Sequence, residues 1–179
     1  MPGNPARQGE GPGPLLSEPV RLLVTGGTFD KEYDEIHGRL YFEDTHLPDM
    51  LRMGRCHLDV QIRTLMMVDS LEMGDADREV ILRNCLEVAE SRIVITHGTD
   101  TMVETARALA PHIVDRTVVL TGAMIPIAFG SSDGLFNLGG ALAVVQVLPP
   151  GVYVAMNGRV FNWDNVRKNR DTGFFEELR

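Results

Sequence analysis

Short apolar runs alternate with amphipathic stretches along most of this chain, and that alternation restricts the folds open to it. Residues 20–25, 59–67, 92–96, 117–121 and 152–156 are apolar or loosely alternating and read as strands. Residues 75–90 read as a helix, with Ile81, Cys85 and Val88 on one face and Asp75 able to cap its start. Residues 101–110 read as a second helix, with Val103, Ala106 and Ala110 inward and Pro111 marking its end. Residues 134–147 read as a third, with Leu138, Leu142 and Val145 on one face, and a polar hairpin is expected around Asn157-Gly158. Strands this apolar, separated by helices, need cover on both sides of a parallel sheet. The expected fold is α/β, a three-layer sandwich with a mostly parallel sheet and helices on both faces.

With 179 residues, 44% of them hydrophobic, the chain is long enough for one domain with a real core, expected over 19–179. The Pro/Gly-rich residues 1–18 read as a disordered tail. Residues 26–46 show little periodicity and many polar groups, which suits a functional loop such as a lid. A net charge of −8 argues against nucleic acid or an anionic membrane as partner. No apolar run approaches the ~20 residues of a membrane-spanning helix. Cys56 and Cys85 form no CxxC pair, so neither a disulfide nor a thiolate metal site is suggested, and a reducing cytoplasm is the default. The five histidines have no metal-ligand spacing, and neither a metal nor a cofactor is expected.

Two strand ends carry an unusual load of hydroxyl and acidic residues: T-G-G-T-F-D at 25–30 and T-H-G-T-D-T at 96–101. Ligands of parallel sheets bind beyond the carboxyl ends of the strands, so the two segments read as walls of one crevice. Gly26 and Gly27 permit a tight turn and close approach of a ligand, leaving the Thr28 hydroxyl free as a nucleophile or as a local cap. Tyr33 would help deprotonate such a hydroxyl only with a lowered pKa or a proton relay; otherwise it is a surface aromatic. Thr99 and Asp100 stand where a helix opens, so helix capping is the plain alternative to a role in chemistry. Lys168, ordinarily a surface lysine, would exchange protons with a threonine hydroxyl if its segment folded back to Asp100. Asp69-Ser70-Leu71-Glu72 either meets a polar substrate or caps the helix near Asp75, and Ser132-Asp133 reads as a helix cap. No phosphate-binding glycine motif and no G-x-S-x-G elbow occurs.

Taken together, these motifs resemble the N-terminal domain of the L-asparaginase family. The matching stretches are T-G-G-T-F-D, D-S-L-E-M at 69–73, I-T-H-G-T-D-T-M-V-E-T-A at 95–106, G-A-M-I-P at 122–126, S-D-G-L-F-N-L at 132–138 and V-R-K-N at 166–169, in the family's order. The resemblance implies hydrolysis of the L-asparagine side-chain amide to aspartate and ammonia, through an acyl-enzyme on Thr28 with Tyr33 assisting. It makes Thr99, Asp100 and Lys168 a second catalytic triad. It assigns the substrate α-carboxylate to Ser70 and the α-amino group to Asp100. Gly27, Asp69, Leu71 and Ala123 complete the implied binding set, with backbone N–H groups near Ala123 and Thr99 as oxyanion donors. It further implies a homo-oligomer, dimer or tetramer. The chain departs from the family in having Leu71 for a glutamine and Ile125 for a basic residue. Familiar members are also nearly twice as long, so a naturally short single-domain bacterial type with weak affinity is expected. A non-catalytic amino-acid-binding module and an amidase for glutamine or another amide are the alternatives.

Overall fold

In the computed structural model, which describes residues 18–179, the apolar runs pair into one central sheet. Strand β1 (Val20–Gly26) leads into a hairpin of β2 (Lys31–Asp34) and β3 (Arg39–Phe42), a short helix α1 (Leu47–Met53) and β4 (Val60–Val68). Helix α2 (Asp75–Glu87), β5 (Arg92–Thr96), α3 (Met102–Leu109), β6 (Thr117–Thr121), α4 (Gly134–Val144), β7 (Gly151–Met156) and β8 (Arg159–Asn162) follow. A last hairpin pairs β9 (Arg167–Lys168) with β10 (Phe175–Glu176). The six-stranded sheet runs β4-β1-β5-β6-β7-β8, and every neighbour is parallel except the β7–β8 hairpin.

Alternation along each strand divides the apolar residues between two cores. On one face Leu23, Ile93, Ile95, Val118 and Leu120 pack with Ile81 and Cys85 of α2 and Val103 and Leu109 of α3. On the other, Leu22, Val24, Val94 and Val119 pack with Leu47 and Met50 of α1 and Leu138 and Ala141 of α4. The expected three-layer α/β sandwich is therefore present. The order also brings the carboxyl ends of β4, β1, β5 and β6 side by side at one rim.

Local differences have physical causes. Helix α2 stops at Glu87 because Val88 turns extended (φ −67°, ψ 149°), although Val88 itself stays buried as expected. Gly74, not Asp75, precedes α2, and its N–H donates to Asp77 Oδ2 at 2.9 Å. In α3 Val103, Ala106 and Leu109 are buried, and Ala110, partly buried against the same core, lies in the tighter turn Ala110–His112 around Pro111. Helix α4 ends at Val144, and its last turn closes through Val147 and Leu148 N–H groups onto Val144 O. The stretch read as an irregular loop holds the β2–β3 hairpin, whose four-residue strands carry polar groups on both faces and so lack an apolar alternation. All but Glu18 of the tail expected to be disordered lies outside the described residues. Both cysteines are free. Among the described residues, no helix is long and apolar enough to cross a membrane, and no group of His, Cys, Asp or Glu is placed to hold a metal.

Candidate active site

Three strand-end loops meet backbone against backbone through glycine. A Cβ built on Gly27, whose φ is +81°, would stand 2.4 Å from the Gly98 amide nitrogen. One built on Gly98 would stand 2.5 Å from Ser70 Oγ. Any side chain at either position would drive the loops after β1, β5 and β4 apart. The leading threonine of each motif is structural. Thr25 Oγ1 donates to Thr96 O at 2.8 Å, joining β1 to β5, and the Thr96 side chain is itself fully buried. Thr101 Oγ1 donates to Ser70 O at 2.7 Å, joining the start of α3 to the loop after β4.

Thr99, Asp100 and Lys168 come together. Lys168 Nζ donates to Thr99 Oγ1 at 2.9 Å and to Asp100 Oδ1 at 2.9 Å. The β9–β10 hairpin delivers the lysine. Lys168 pairs with Phe175, and Val166 and Phe175 anchor that hairpin in the core. Its turn is held by Asn169 Oδ1, which accepts from the Asp171 and Thr172 N–H groups at 3.0 and 3.2 Å. A hydroxyl bonded to an amine that a carboxylate holds in place is an arrangement suited to proton transfer.

Thr99 Oγ1 also lies 3.5 Å from Met124 Sδ, in the loop after β6. That loop is fixed by Asp133, whose carboxylate accepts from Met124 N at 2.9 Å and Ile125 N at 3.1 Å. Asp133 was expected to cap α4. Its side chain makes no such bond, because the two loop amides occupy it, and Ser132 Oγ instead accepts from Gly134 N at 2.9 Å. Asn137 continues the network, donating to Asp133 Oδ2 and to Gly122 O, each at 2.9 Å. Ala123 is buried between these groups and the core.

Thr28 opens a single tight turn, Thr28–Asp30, at the end of β1. It is half-buried, and its hydroxyl makes no hydrogen bond to a described residue. No hydrogen bond between described residues joins Tyr33 to it. Tyr33 lies on β2, 55% exposed, opposite Leu40, with its hydroxyl near Gly38 at the hairpin turn. The hairpin is gripped at its neck by Asp30, a fully buried residue whose Oδ1 accepts from Thr45 Oγ1 at 3.0 Å and His46 N at 2.9 Å. Burial pushes the Asp30 carboxyl up, and the bonds from His46 and Thr45 oppose that shift.

Ser70 is buried with its side chain against Gly98, and Leu71 is 65% exposed with its N–H on Asp69 Oδ1 at 3.0 Å. Asp69 forms an ion pair with Lys31 of β2, and the lysine's hydrogen bond holds its carboxyl below the usual range. Sequence reading passed over Lys31, Asp133 and Met124 as site residues. The available signal was their place in the motifs: Lys31 directly follows T-G-G-T-F-D, Met124 lies in G-A-M-I-P and Asp133 in S-D-G-L-F-N-L. His97, fully buried, donates from Nδ1 to Gly98 O at 2.8 Å and accepts at Nε2 from Thr105 Oγ1 at 2.8 Å. Burial pulls its imidazole down to about 4, so it is a neutral support of the loop.

Residues 19–175 match the family model for the asparaginase N-terminal domain. The chain is 32% identical over 164 residues to an L-asparaginase of Thermococcus kodakarensis, covering 86% of this chain and 49% of that protein. It is 31% identical over 170 residues to L-asparaginase 1 of Escherichia coli K12, covering 89% and 50%. The solved structure of the thermostable L-asparaginase from Thermococcus kodakarensis superposes with a TM-score of 0.79 at 30% identity, over 89% of this chain and 51% of that one. A probable cytoplasmic L-asparaginase from Campylobacter jejuni superposes with a TM-score of 0.74 at 28% identity, over 89% and 51%. The chain thus spans about half the length of the curated relatives it matches.

Proposed function

The chain belongs to the asparaginase family, and we propose that it hydrolyses the side-chain amide of L-asparagine to L-aspartate and ammonia through an acyl-enzyme on Thr28. The observation that carries this reading is the contact of Lys168 Nζ with both Thr99 Oγ1 and Asp100 Oδ1 at the same rim as Thr28. Thr28 Oγ attacks the amide carbon, its proton passes to the departing nitrogen, and the C–N bond breaks to release ammonia. Water then attacks the acyl carbon, the ester bond to Thr28 breaks, and the water's proton returns to Thr28 Oγ. Thr99 and Lys168 hold and relay a proton in these steps, with Asp100 fixing Lys168 and facing the substrate α-ammonium. Ser70 faces the α-carboxylate, and backbone N–H groups near Ala123 and Thr99 stabilise the oxyanion. Tyr33 assists Thr28 after movement of the β2–β3 hairpin, which carries it on the same face as Lys31.

The reading extends to a cytoplasmic homo-oligomer, dimer or tetramer. The uncharged outer face of α4 supports assembly: Phe136 is 67% exposed, and Val147 just beyond the helix is 74% exposed. The free cysteines suit a reducing compartment.

Ammonia release from L-asparagine and L-glutamine, measured on the wild type, Thr28→Ala and Thr99→Ala, tests the assignment. Turnover by the wild type and none by either variant is expected, with their melting unchanged. Full activity in both variants overturns it. Binding of L-asparagine by calorimetry without any wild-type turnover would instead identify an amino-acid-binding module.

A further inference from the structure

Lys31 is the first residue of β2, and its ammonium reaches from the hairpin to the Asp69 carboxylate beyond the end of β4. The contact is sheltered: the Lys31 side chain is 18% exposed. Asp69 Oδ1 is taken by Leu71 N at 3.0 Å, so the lysine meets the other oxygen. Among the described residues Asp69 is the one hydrogen-bond acceptor of Lys31 Nζ, which leaves N–H donors of the ammonium unused. The next residue, Ser70, is buried against Gly98, and its hydroxyl makes no hydrogen bond to a described residue. A cation with spare donors is therefore paired with the residue that directly precedes an unengaged hydroxyl beyond the end of β4.

An amino-acid amide brings both an ammonium and a carboxylate, and the wall contains two acids, Asp69 and Asp100. Of the two lysines paired with them, Lys168 is held by Thr99 and Asp100. The substrate carboxylate then needs a different cation, and Lys31 is the one at the Ser70 corner. Asp69 orders that long side chain before substrate arrives, which lowers the entropy lost on binding.

We infer that Lys31 is a specificity-determining residue that recognises the substrate α-carboxylate together with the Ser70 hydroxyl. The inference rests on the reading of the crevice as a site for amino-acid amides. A hydrogen bond to a charged group contributes about 1.5–3 kcal/mol, which corresponds to roughly 10- to 100-fold in affinity.

The test compares L-asparagine with 3-aminopropanamide, which lacks only the α-carboxylate, on the wild type, Lys31→Met and Lys31→Arg. The amide without the carboxylate is assayed as substrate or, where it is not turned over, as competitive inhibitor. Lys31→Met should raise KM for L-asparagine about tenfold or more, leave kcat nearly unchanged, and shift the constant for 3-aminopropanamide less than about twofold. Lys31→Arg, which keeps the charge and the fold, should recover most of the loss. Equal losses on both compounds, or no loss on L-asparagine, overturn the inference. If the wild type releases no ammonia, the amidohydrolase reading fails, and calorimetry with L-aspartate and β-alanine decides the role of Lys31 separately. Weakening confined to L-aspartate in Lys31→Met supports it. Equal weakening, or no binding of L-aspartate by the wild type, overturns it.

Discussion

Lys168 Nζ lies 2.9 Å from Thr99 Oγ1 although 69 residues separate the two in the chain. The same nitrogen lies 2.9 Å from Asp100 Oδ1, so one amine bridges both residues at the start of α3. Lys168→Met should lower kcat for asparagine hydrolysis by about 10²- to 10⁴-fold, the usual worth of a general acid–base group. Lys168→Arg should not restore it, because a guanidinium stays protonated. Steady-state ammonia release with a parallel melting curve checks this. A Lys168→Met enzyme retaining most of its kcat would remove the lysine from the chemistry.

Gly27→Ala should cost about 1–3 kcal/mol and abolish turnover, because its Cβ would meet Gly98 N at 2.4 Å and force the two loops apart. Gly139→Ala is the matching control. A Cβ on Gly139, within α4, meets nothing within 4 Å. Alanine's helix preference should stabilise that variant by up to about 1 kcal/mol. Urea unfolding of both variants beside the wild type measures the contrast.

Asp133→Ala leaves the Met124 and Ile125 amides without their acceptor. A loss of about 1–2 kcal/mol is expected from these partly exposed bonds. Because Met124 Sδ lies against the Thr99 hydroxyl, kcat should also fall, whereas Asp133→Asn, which keeps one acceptor oxygen, should lose less of both. Unfolding and turnover measured on the same preparations separate the two effects.

His97 supplies a pH-dependent part of stability. Its folded-state imidazole lies near 4, below its ordinary 6.5, so between those values the unfolded chain takes up a proton that the folded chain does not. The contribution is complete above about pH 6.5 and is lost as pH falls toward about 4. Its full size is on the order of 3 kcal/mol. Urea midpoints across this window should fall with acidity in the wild type, and that slope should shrink in His97→Gln. An unchanged slope would mean that His97 is not the group responsible.

The strands most legible in the sequence are those buried on both faces. Residues 92–96 and 117–121 occupy the boundaries their apolar runs implied, since every position from Ile93 to Thr96 and from Thr117 to Thr121 is buried. The β2–β3 hairpin and the two-residue strands β9 and β10 were not legible. They are too short to show a period: β2 and β3 pair only with each other, and β9 and β10 place a single residue, Phe175, in the core.

The same division holds for the site. Sequence alone determined that two threonine-bearing glycine turns end two strands, because a turn of that kind is a local property of its own few residues. It also determined the layered fold and the family pattern, through apolar spacing and the order of motifs. Only the tertiary structure decided that Lys168 reaches Thr99, that Lys31 reaches Asp69, that Asp133 holds the Met124 loop, and that the Tyr33 hydroxyl lies near Gly38 at the hairpin turn. Each of these depends on the register of a hairpin or the meeting of two strand ends. Such contacts arise from loop closure between residues far apart in the chain, and hydrophobic period does not encode them.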